Sequence, residues 1–343
     1  SSFLLGCTLS YNERYDLLYR ICIGAAGRIS VEKEELYLVK KSQTDAQNGT
    51  VIFKAFTNNS GSGDITVEYN NGKRGKNPEC KAIRSMSVLS QMQSRLPSDI
   101  EKYAQTIKTI QYVQTTLSNM FVLEPIPSLM RGYSRIGDSV LRRNCSNISA
   151  VLASIQENSP DDWQKFCDII ESLPENEIQG ISFVKTTIND VILIQKEQNG
   201  KSTENIDATR LSDGTLRCIA VLAAVISEPE HSLIAIEELD NGIHPSRIIK
   251  LIKSLCEIAQ RRKIDLVLTT HNVTVLNGLS KEDVLGVSVV YRDKETQASR
   301  IVPFVEIENQ AGILASGGIG TAMESERLLD EIKNEKEIVP FDF

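Results

Sequence analysis

Leu233-Ile234-Ala235-Ile236-Glu237-Glu238 decides how this chain reads, because a continuous apolar run ends abruptly in two adjacent carboxylates. The run from Ser232 to Ile236 has the pattern of a strand covered on both faces, as in a parallel sheet. Open parallel sheets bind their ligands beyond the carboxyl ends of the strands, which is where Glu237 and Glu238 stand. One carboxylate can hold a magnesium ion, directly or through water, while its neighbour polarises a water that attacks a terminal phosphate. The order suggests Glu237 for the metal and Glu238 for the water. A Glu-Glu pair is also an ordinary solvated strand end, so the surrounding segments carry the decision.

Downstream, Ile264 to Thr269 repeats the buried-strand pattern and ends in Thr270-His271-Asn272. A histidine there can hydrogen-bond a phosphate oxygen or the attacking water and sense whether the terminal phosphate is present. The chain has only three histidines, and His271 falls at the end of the strand expected beside the carboxylate strand. His244, in Asn241-Gly242-Ile243-His244-Pro245, fits equally a cap for the helix that begins near Pro245. Upstream, Leu211-Ser212-Asp213-Gly214-Thr215-Leu216-Arg217 leads into the almost wholly apolar helix Leu216 to Ile226. Ser212 and Gly214 put a hydroxyl and free amides at a helix amino end, which attracts phosphate. A simple capping turn before a core helix has the same appearance.

Taken together, the three segments resemble the signature motif, the Walker B strand and the switch histidine of ABC-type ATPases. More narrowly, Leu211 to Arg217 followed by Ile236-Glu237-Glu238-Leu239-Asp240-Asn241-Gly242-Ile243-His244-Pro245 resembles the AAA_21/AAA_15 group, relatives of RecF, SMC and OLD-type ATPases. Leu123-Glu124-Pro125-Ile126-Pro127-Ser128-Leu129-Met130-Arg131 and Asn147 to Leu152 resemble the middle of that group, so the likeness spans about the last two thirds of the chain. It implies an α/β fold: an ABC-type P-loop NTPase head with a flanking antiparallel sheet and a helical insertion. It implies ATP and Mg2+ as cofactors, with Glu237 at the metal, Glu238 and His271 catalytic, and Ser212, Asp213, Gly214, Arg217 and Asp240 binding nucleotide. It also implies a homodimer closed by ATP, in which the signature turn of one subunit completes the site of the other.

One departure stands out. The family binds phosphates with a Walker A loop, Gly-x-x-x-x-Gly-Lys-[Ser/Thr], and no such loop occurs in this sequence. Gly200-Lys201-Ser202 lacks it, since Gln195 stands where the first glycine belongs, and Asn199-Gly200 reads as a turn after the strand-like Asp190 to Gln195. In the family the loop would lie upstream of Ser1, so the expectation is that this chain is the larger carboxyl-terminal part of an ATPase and has little turnover alone.

The 343 residues, 41% hydrophobic and 24% charged, hold enough apolar material for a large core and two structural parts. No apolar run approaches a membrane span and no signal peptide is present, so no membrane partner is expected. Seven cysteines are scattered without metal spacing, several inside apolar runs, as reduced core thiols are, which points to the cytoplasm. The formal charge of -7 gives no support to binding nucleic acid over the whole surface. A local patch at Lys73-Arg74-Gly75-Lys76 stays open, although Asn70-Asn71-Gly72 reads it first as a solvated turn.

Along the chain, residues 1–96 read as a strand-rich part of the head, with Tyr15 to Ile23, Glu35 to Lys40, Val51 to Thr57 and Asp64 to Tyr69 as strands and Asn58 to Gly63 as a hairpin connection. Residues 97–177 read as a helical insertion: Ile100, Tyr103, Ala104, Ile107, Ile110, Val113 and Leu117 form a stripe, and Ser159-Pro160 opens a helix with Trp163, Phe166, Ile169, Ile170 and Leu173. Heptads of an SMC arm are absent. Residues 178–343 read as the α/β lobe, with a sheet-covering helix Ser246 to Arg262, strands Leu285 to Tyr291 and Ser299 to Val305 extending the sheet, and a charged end from Glu324 to Glu337.

The resemblance leads to an ATP-hydrolysing switch subunit of a bacterial antiphage or retron-type system with a separate nuclease or toxin effector. Two alternatives stand beside it: a RecF/SMC-like DNA-repair ATPase that binds nucleic acid, and a non-hydrolysing scaffold that holds a partner.

Overall fold

The computed structural model describes residues 2–25, 27–42, 49–57, 62–73, 75–96, 101–174, 178–293, 297–325 and 327–333. It is a mixed α/β protein in two compact units, Ser1–Asn119 and Met120–Phe343. The helices expected over 97–177 are thus shared between both units.

In the first unit β1 (Ser2–Ser10), β2 (Tyr15–Gly24), β3 (Ser30–Lys40), β4 (Thr50–Phe56), β5 (Asp64–Tyr69) and β6 (Glu79–Ile83) form one antiparallel sheet in chain order. Alternation sends Leu17, Leu36, Phe53, Ile65 and Val67 into a core closed by α1 (Val88–Arg95) and α2 (Ala104–Ser118), through Val88, Met92, Ile110 and Val113. The turn at Asn70-Asn71-Gly72 is an Asx turn: Gly72 N donates to Asn70 Oδ1 at 2.7 Å and Lys73 N to Asn71 Oδ1 at 2.9 Å, with Gly72 at φ 70°. Arg74, Ser1, Ile100 and residues 58–61 of the expected hairpin connection lie outside the described residues.

A buried carboxylate ties sheet to helix. Glu34 of β3 is fully buried and accepts from Val88 N (2.6 Å), Leu89 N (2.7 Å), Ser87 Oγ (2.9 Å) and Tyr19 OH (3.0 Å). It therefore caps the amino end of α1, whose own Ser87 makes no side-chain cap. Burial raises the Glu34 pKa above its ordinary value, and the four donors pull against that rise. The folded chain then holds this proton more tightly than the unfolded chain does. The contribution of Glu34 to stability is complete below the ordinary carboxylate pKa and declines as pH rises through the folded value. The difference in urea-unfolding free energy between the wild type and Glu34→Gln is expected to follow that decline as pH rises above the ordinary carboxylate pKa. A pH-independent difference would contradict it.

The second unit runs β7 (Met120–Leu123), α3 (Pro127–Met130), β8 (Ser134–Arg135), α4 (Ile148–Asn158), α5 (Pro160–Ser172), β9 (Ile178–Lys185), β10 (Asp190–Asn199), β11 (Ser202–Asp207), α6 (Asp213–Ser227), β12 (Leu233–Ile236), α7 (Pro245–Arg262) and β13 (Asp265–Leu268). It ends with α8 (Val273–Asn277), α9 (Lys281–Val284), β14 (Ser288–Arg292), β15 (Ser299–Pro303), α10 (Gln310–Ala315), α11 (Ile319–Glu324) and α12 (Arg327–Lys333). Residues 334–337 of the expected charged end lie outside the described residues. The sheet that matters for the site is parallel, in the order β13-β12-β7. A second sheet joins β11, β10 and β8, with β9 also on β10; its β10–β11 hairpin turns through Gly200 (φ 62°) and Lys201, and Ser202 already opens β11, so Gly200-Lys201-Ser202 is a hairpin end.

Two features differ from the sequence reading. Strands β14 and β15 do not extend the parallel sheet; among the described residues they pair only with each other, and Val302 and the following Phe304 pack into a core with Val284, Ile313 and Ile319. Strand β13 is also not covered on both faces: Asp265 and Val267 are exposed, and its second edge meets no strand among the described residues.

Helix α6 is hydrophobic around its whole circumference and is buried from Gly214 to Ile226 apart from a half-buried Arg217. It forms the centre of the main core, against α4, α5 and the Ile248-Leu251-Leu255-Ile258 face of α7. Arg262, at the end of α7, donates to the carbonyls of Ile226 and Glu228 at the end of α6. Burial pushes the thiols of Cys145 and Cys218 up to about 12, so neither is a nucleophile near neutral pH. Among the described residues no helix is long and apolar enough to cross a membrane.

Candidate functional site

Strand β12 lies between β13 and β7, parallel to both, with Ile236 opposite Leu268 on one side and Leu123 on the other. Its carboxyl end releases Glu237 and Glu238 into solvent. The ladder continues beyond the strands, since Thr269 N donates to Ile236 O at 3.1 Å and Leu239 N to Thr269 O at 3.2 Å. Side chains then lock the two loops together. Glu238 N donates to Thr269 Oγ1 at 2.9 Å, and Thr270 Oγ1 donates to Asp240 Oδ1 at 2.6 Å while accepting from Asn272 N at 3.0 Å.

Glu238 sits in the left-handed region, φ 47°, a conformation that a non-glycine residue adopts at a cost. The surrounding contacts hold it there. Asn241 N donates to Glu238 O at 2.9 Å, and Asn241 Nδ2 donates to Glu238 Oε2 at 3.3 Å. Glu237 and His271 are exposed and make no hydrogen bond or ion pair among the described residues. Asn272 caps α8 by accepting from Thr274 N at 2.9 Å.

The turn Leu211–Gly214 meets the same region from the other side. Ser212 is the N-cap of α6: its Oγ accepts from Thr215 N at 3.1 Å and lies 2.9 Å from Thr215 Oγ1. Gly214 packs so closely on the turn after β12 that an added Cβ would fall 2.3 Å from Gly242 O. Gly242 has φ 72°, which glycine adopts freely. Arg131, at the end of α3, donates through Nη2 to Asp213 Oδ1 at 2.6 Å and to Leu211 O at 2.8 Å. Arg217 is half-buried, with no side-chain partner among the described residues. His244 caps α7, its Nδ1 2.8 Å from Ser246 Oγ, and so takes the helix-cap alternative.

The structure therefore gathers Glu238, Asp240 and the 269–271 loop at one strand end, and brings the Ser212-Asp213-Gly214 turn against the 240–242 turn. Glu237 and His271 share the strand ends without a side-chain hydrogen bond or ion pair among the described residues. The sequence assigns no role to Arg131, Thr269 or Thr270. All three belong to quoted segments, but their partners stand about thirty to eighty residues away, where no local pattern reveals them.

Chemically, the strand ends offer acceptors and the amino end of α6 offers donors. Among the described residues no three His, Cys, Asp or Glu side chains are grouped to hold a metal. Mg2+ takes one or two carboxylates and fills its shell with waters and phosphate oxygens. Glu237 and Glu238, exposed at the end of β12, are carboxylates of that kind.

Residues 114–277 match the model of the AAA_21 family, described as "AAA domain, putative AbiEii toxin, Type IV TA system". Among solved structures, the SMC head domain from Thermotoga maritima is 10% identical, with 84% of this chain and 74% of that chain covered and a TM-score of 0.32. An SMC head bound to the C-winged helix domain of ScpA is 10% identical over 75% of this chain and 76% of that chain, with a TM-score of 0.36. The Pyrococcus yayanosii SMC head with a coiled coil and joint is 11% identical, at 48% of this chain, 30% of that chain and a TM-score of 0.33, so this chain spans under a third of its length. No curated protein matches the chain.

Proposed function

We propose, from the match of residues 114–277 to the AAA_21 model, that this chain carries the signature turn of an ATP-driven switch. The observation that carries the reading is the locked pair of loops beyond β12 and β13. A strained Glu238 and an exposed Glu237 stand there beside Thr269, Thr270 and His271, with the amino end of α6 packed on the adjoining turn.

When bound, Mg2+ neutralises charge on the transferred phosphate, and Glu237 is the residue assigned to hold it. Glu238 accepts a proton from the attacking water. His271, exposed at the end of β13, donates to a phosphate oxygen and so reports that the terminal phosphate is present. Asp240 orders the loop through Thr270. Ser212 and Gly214 of a second copy supply backbone donors at a helix amino end, where Arg217 adds positive charge. Phosphate binding then favours a closed dimer and hydrolysis releases it.

The matching model's description, "putative AbiEii toxin, Type IV TA system", is compatible with a conflict setting; an effector on another chain is part of the proposal. The test is phosphate release from ATP by the complete open reading frame, with and without Mg2+, beside a Glu237→Ala, Glu238→Ala double variant. Mg2+-dependent turnover that the double variant loses supports the reading. Equal turnover in both proteins moves the chemistry elsewhere, and no turnover in either replaces the switch by a scaffold.

A further inference from the structure

The segment after β7 and the signature turn lie some eighty residues apart in sequence and meet through one guanidinium. Arg131 Nη2 donates to Leu211 O at 2.8 Å and to Asp213 Oδ1 at 2.6 Å. These two acceptors stand on either side of Ser212, the cap of α6, so a single arginine spans the turn that Ser212 caps. The arginine is itself well anchored. Met130, its neighbour at the end of α3, is fully buried in the same core as Leu216 of α6. Arg131 Nε and Nη1 have no partner among the described residues, and the side chain is 28% exposed against 65% for Asp213.

Charge explains why the contact matters. Asp213 is the first residue of α6, a position where a carboxylate interacts favourably with the helix dipole but competes with any incoming anion for the same amides. Arg131 neutralises that carboxylate and holds it in one place. We propose that Arg131 is a positioning residue for the signature turn: by binding Leu211 O and Asp213 together it sets the Ser212-Gly214 backbone for the phosphate of a nucleotide held by a second copy. This rests on the switch reading above. The fork geometry is essential, because a lysine ammonium carries the charge without the rigid planar array of donors.

Two measurements on the complete protein test it. The first is ATP turnover against protein concentration for wild type, Arg131→Ala, Arg131→Lys, Asp213→Ala and the Arg131→Ala, Asp213→Ala double variant. Arg131→Ala is expected to raise the half-maximal concentration about tenfold, Arg131→Lys to recover only part of that, and the double variant to be no worse than the worse single one, as one shared contact requires. The second is hydrogen exchange without nucleotide, where Arg131→Ala speeds exchange at Gly214, Thr215 and Leu216 but not in the middle of α7. If Arg131→Ala fails to fold, Asp213→Asn reads the same contact from its exposed end. Additive losses, or unchanged exchange at 214–216, overturn the proposal. If the wild type itself hydrolyses no ATP, the switch reading fails, and the exchange data alone decide whether Arg131 holds the turn.

Discussion

Glu238→Gln in the complete protein is expected to lower ATP turnover by roughly a hundredfold or more while leaving ATP-dependent association intact. A positioned general base contributes on the order of 10²–10⁴ to a rate, and glutamine cannot take the proton. The substitution is otherwise conservative. Its side-chain oxygen can still accept from Asn241 Nδ2, the Glu238 N to Thr269 Oγ1 bond involves the backbone, and the left-handed conformation is imposed by the turn rather than by the charge. Ground-state binding is therefore preserved while the proton transfer is removed, which is the signature of an interaction needed only in the transition state. Glu237→Gln should differ in kind: it should raise the Mg2+ concentration needed for half-maximal turnover. Light scattering in ATP, beside phosphate release, separates the two. Wild-type turnover in Glu238→Gln would remove Glu238 from its role, and loss of association would make it a structural residue of the interface.

What sequence made legible was local. Strand β5 is read to the residue because Ile65, Val67 and Tyr69 alternate between turn signals. Helix α7 is read because Ile248, Leu251, Leu255 and Ile258 recur on one face beyond a proline at its first turn. Strand β1 gives no such signal: Phe3, Leu4 and Leu5 run consecutively and remain exposed. Helix α1 is hard to see because its amino end is capped by Glu34, more than fifty residues upstream. Strands β14 and β15 carry a readable alternation, but alternation says which side is apolar, not which strand is the neighbour.

The site divides along the same line. Carboxylates at a strand end, a histidine at the next strand end and a capped apolar helix are each visible within a few residues. What joins them is not. The Thr269 and Thr270 hydroxyls, the Arg131 guanidinium and the Gly214 contact act on groups about thirty to eighty residues away in sequence, so only the tertiary structure pairs them.

Gly214 gives the sharpest case, because its sign reverses an ordinary rule. Within a helix, Gly→Ala normally stabilises by about 0.5–1 kcal/mol, through lower conformational entropy in the unfolded chain. Gly214 has a helical backbone with no positive φ, so that gain should apply. Yet an alanine Cβ there would fall 2.3 Å from Gly242 O, 3.3 Å from Gly242 C and 3.6 Å from Ile243 Cα. The first of these is about 1 Å inside ordinary contact and is with backbone, which has no rotamer to yield. Overpacking of this kind costs about 1–3 kcal/mol, more than the propensity gain returns. The strain can be relieved only by moving the start of α6 or the 240–243 turn. The first carries Ser212 and Asp213; the second is tied through Asp240 to Thr270 and through Asn241 to Glu238. Gly214→Ala is therefore expected to destabilise the chain by about 1–2 kcal/mol, after the propensity gain is subtracted, and to reduce ATP turnover at least tenfold, since either shift disturbs both halves of the site. Urea unfolding and phosphate release on the same preparation check this together. An alanine variant as stable and active as the wild type would mean that the two turns do not meet at Gly214.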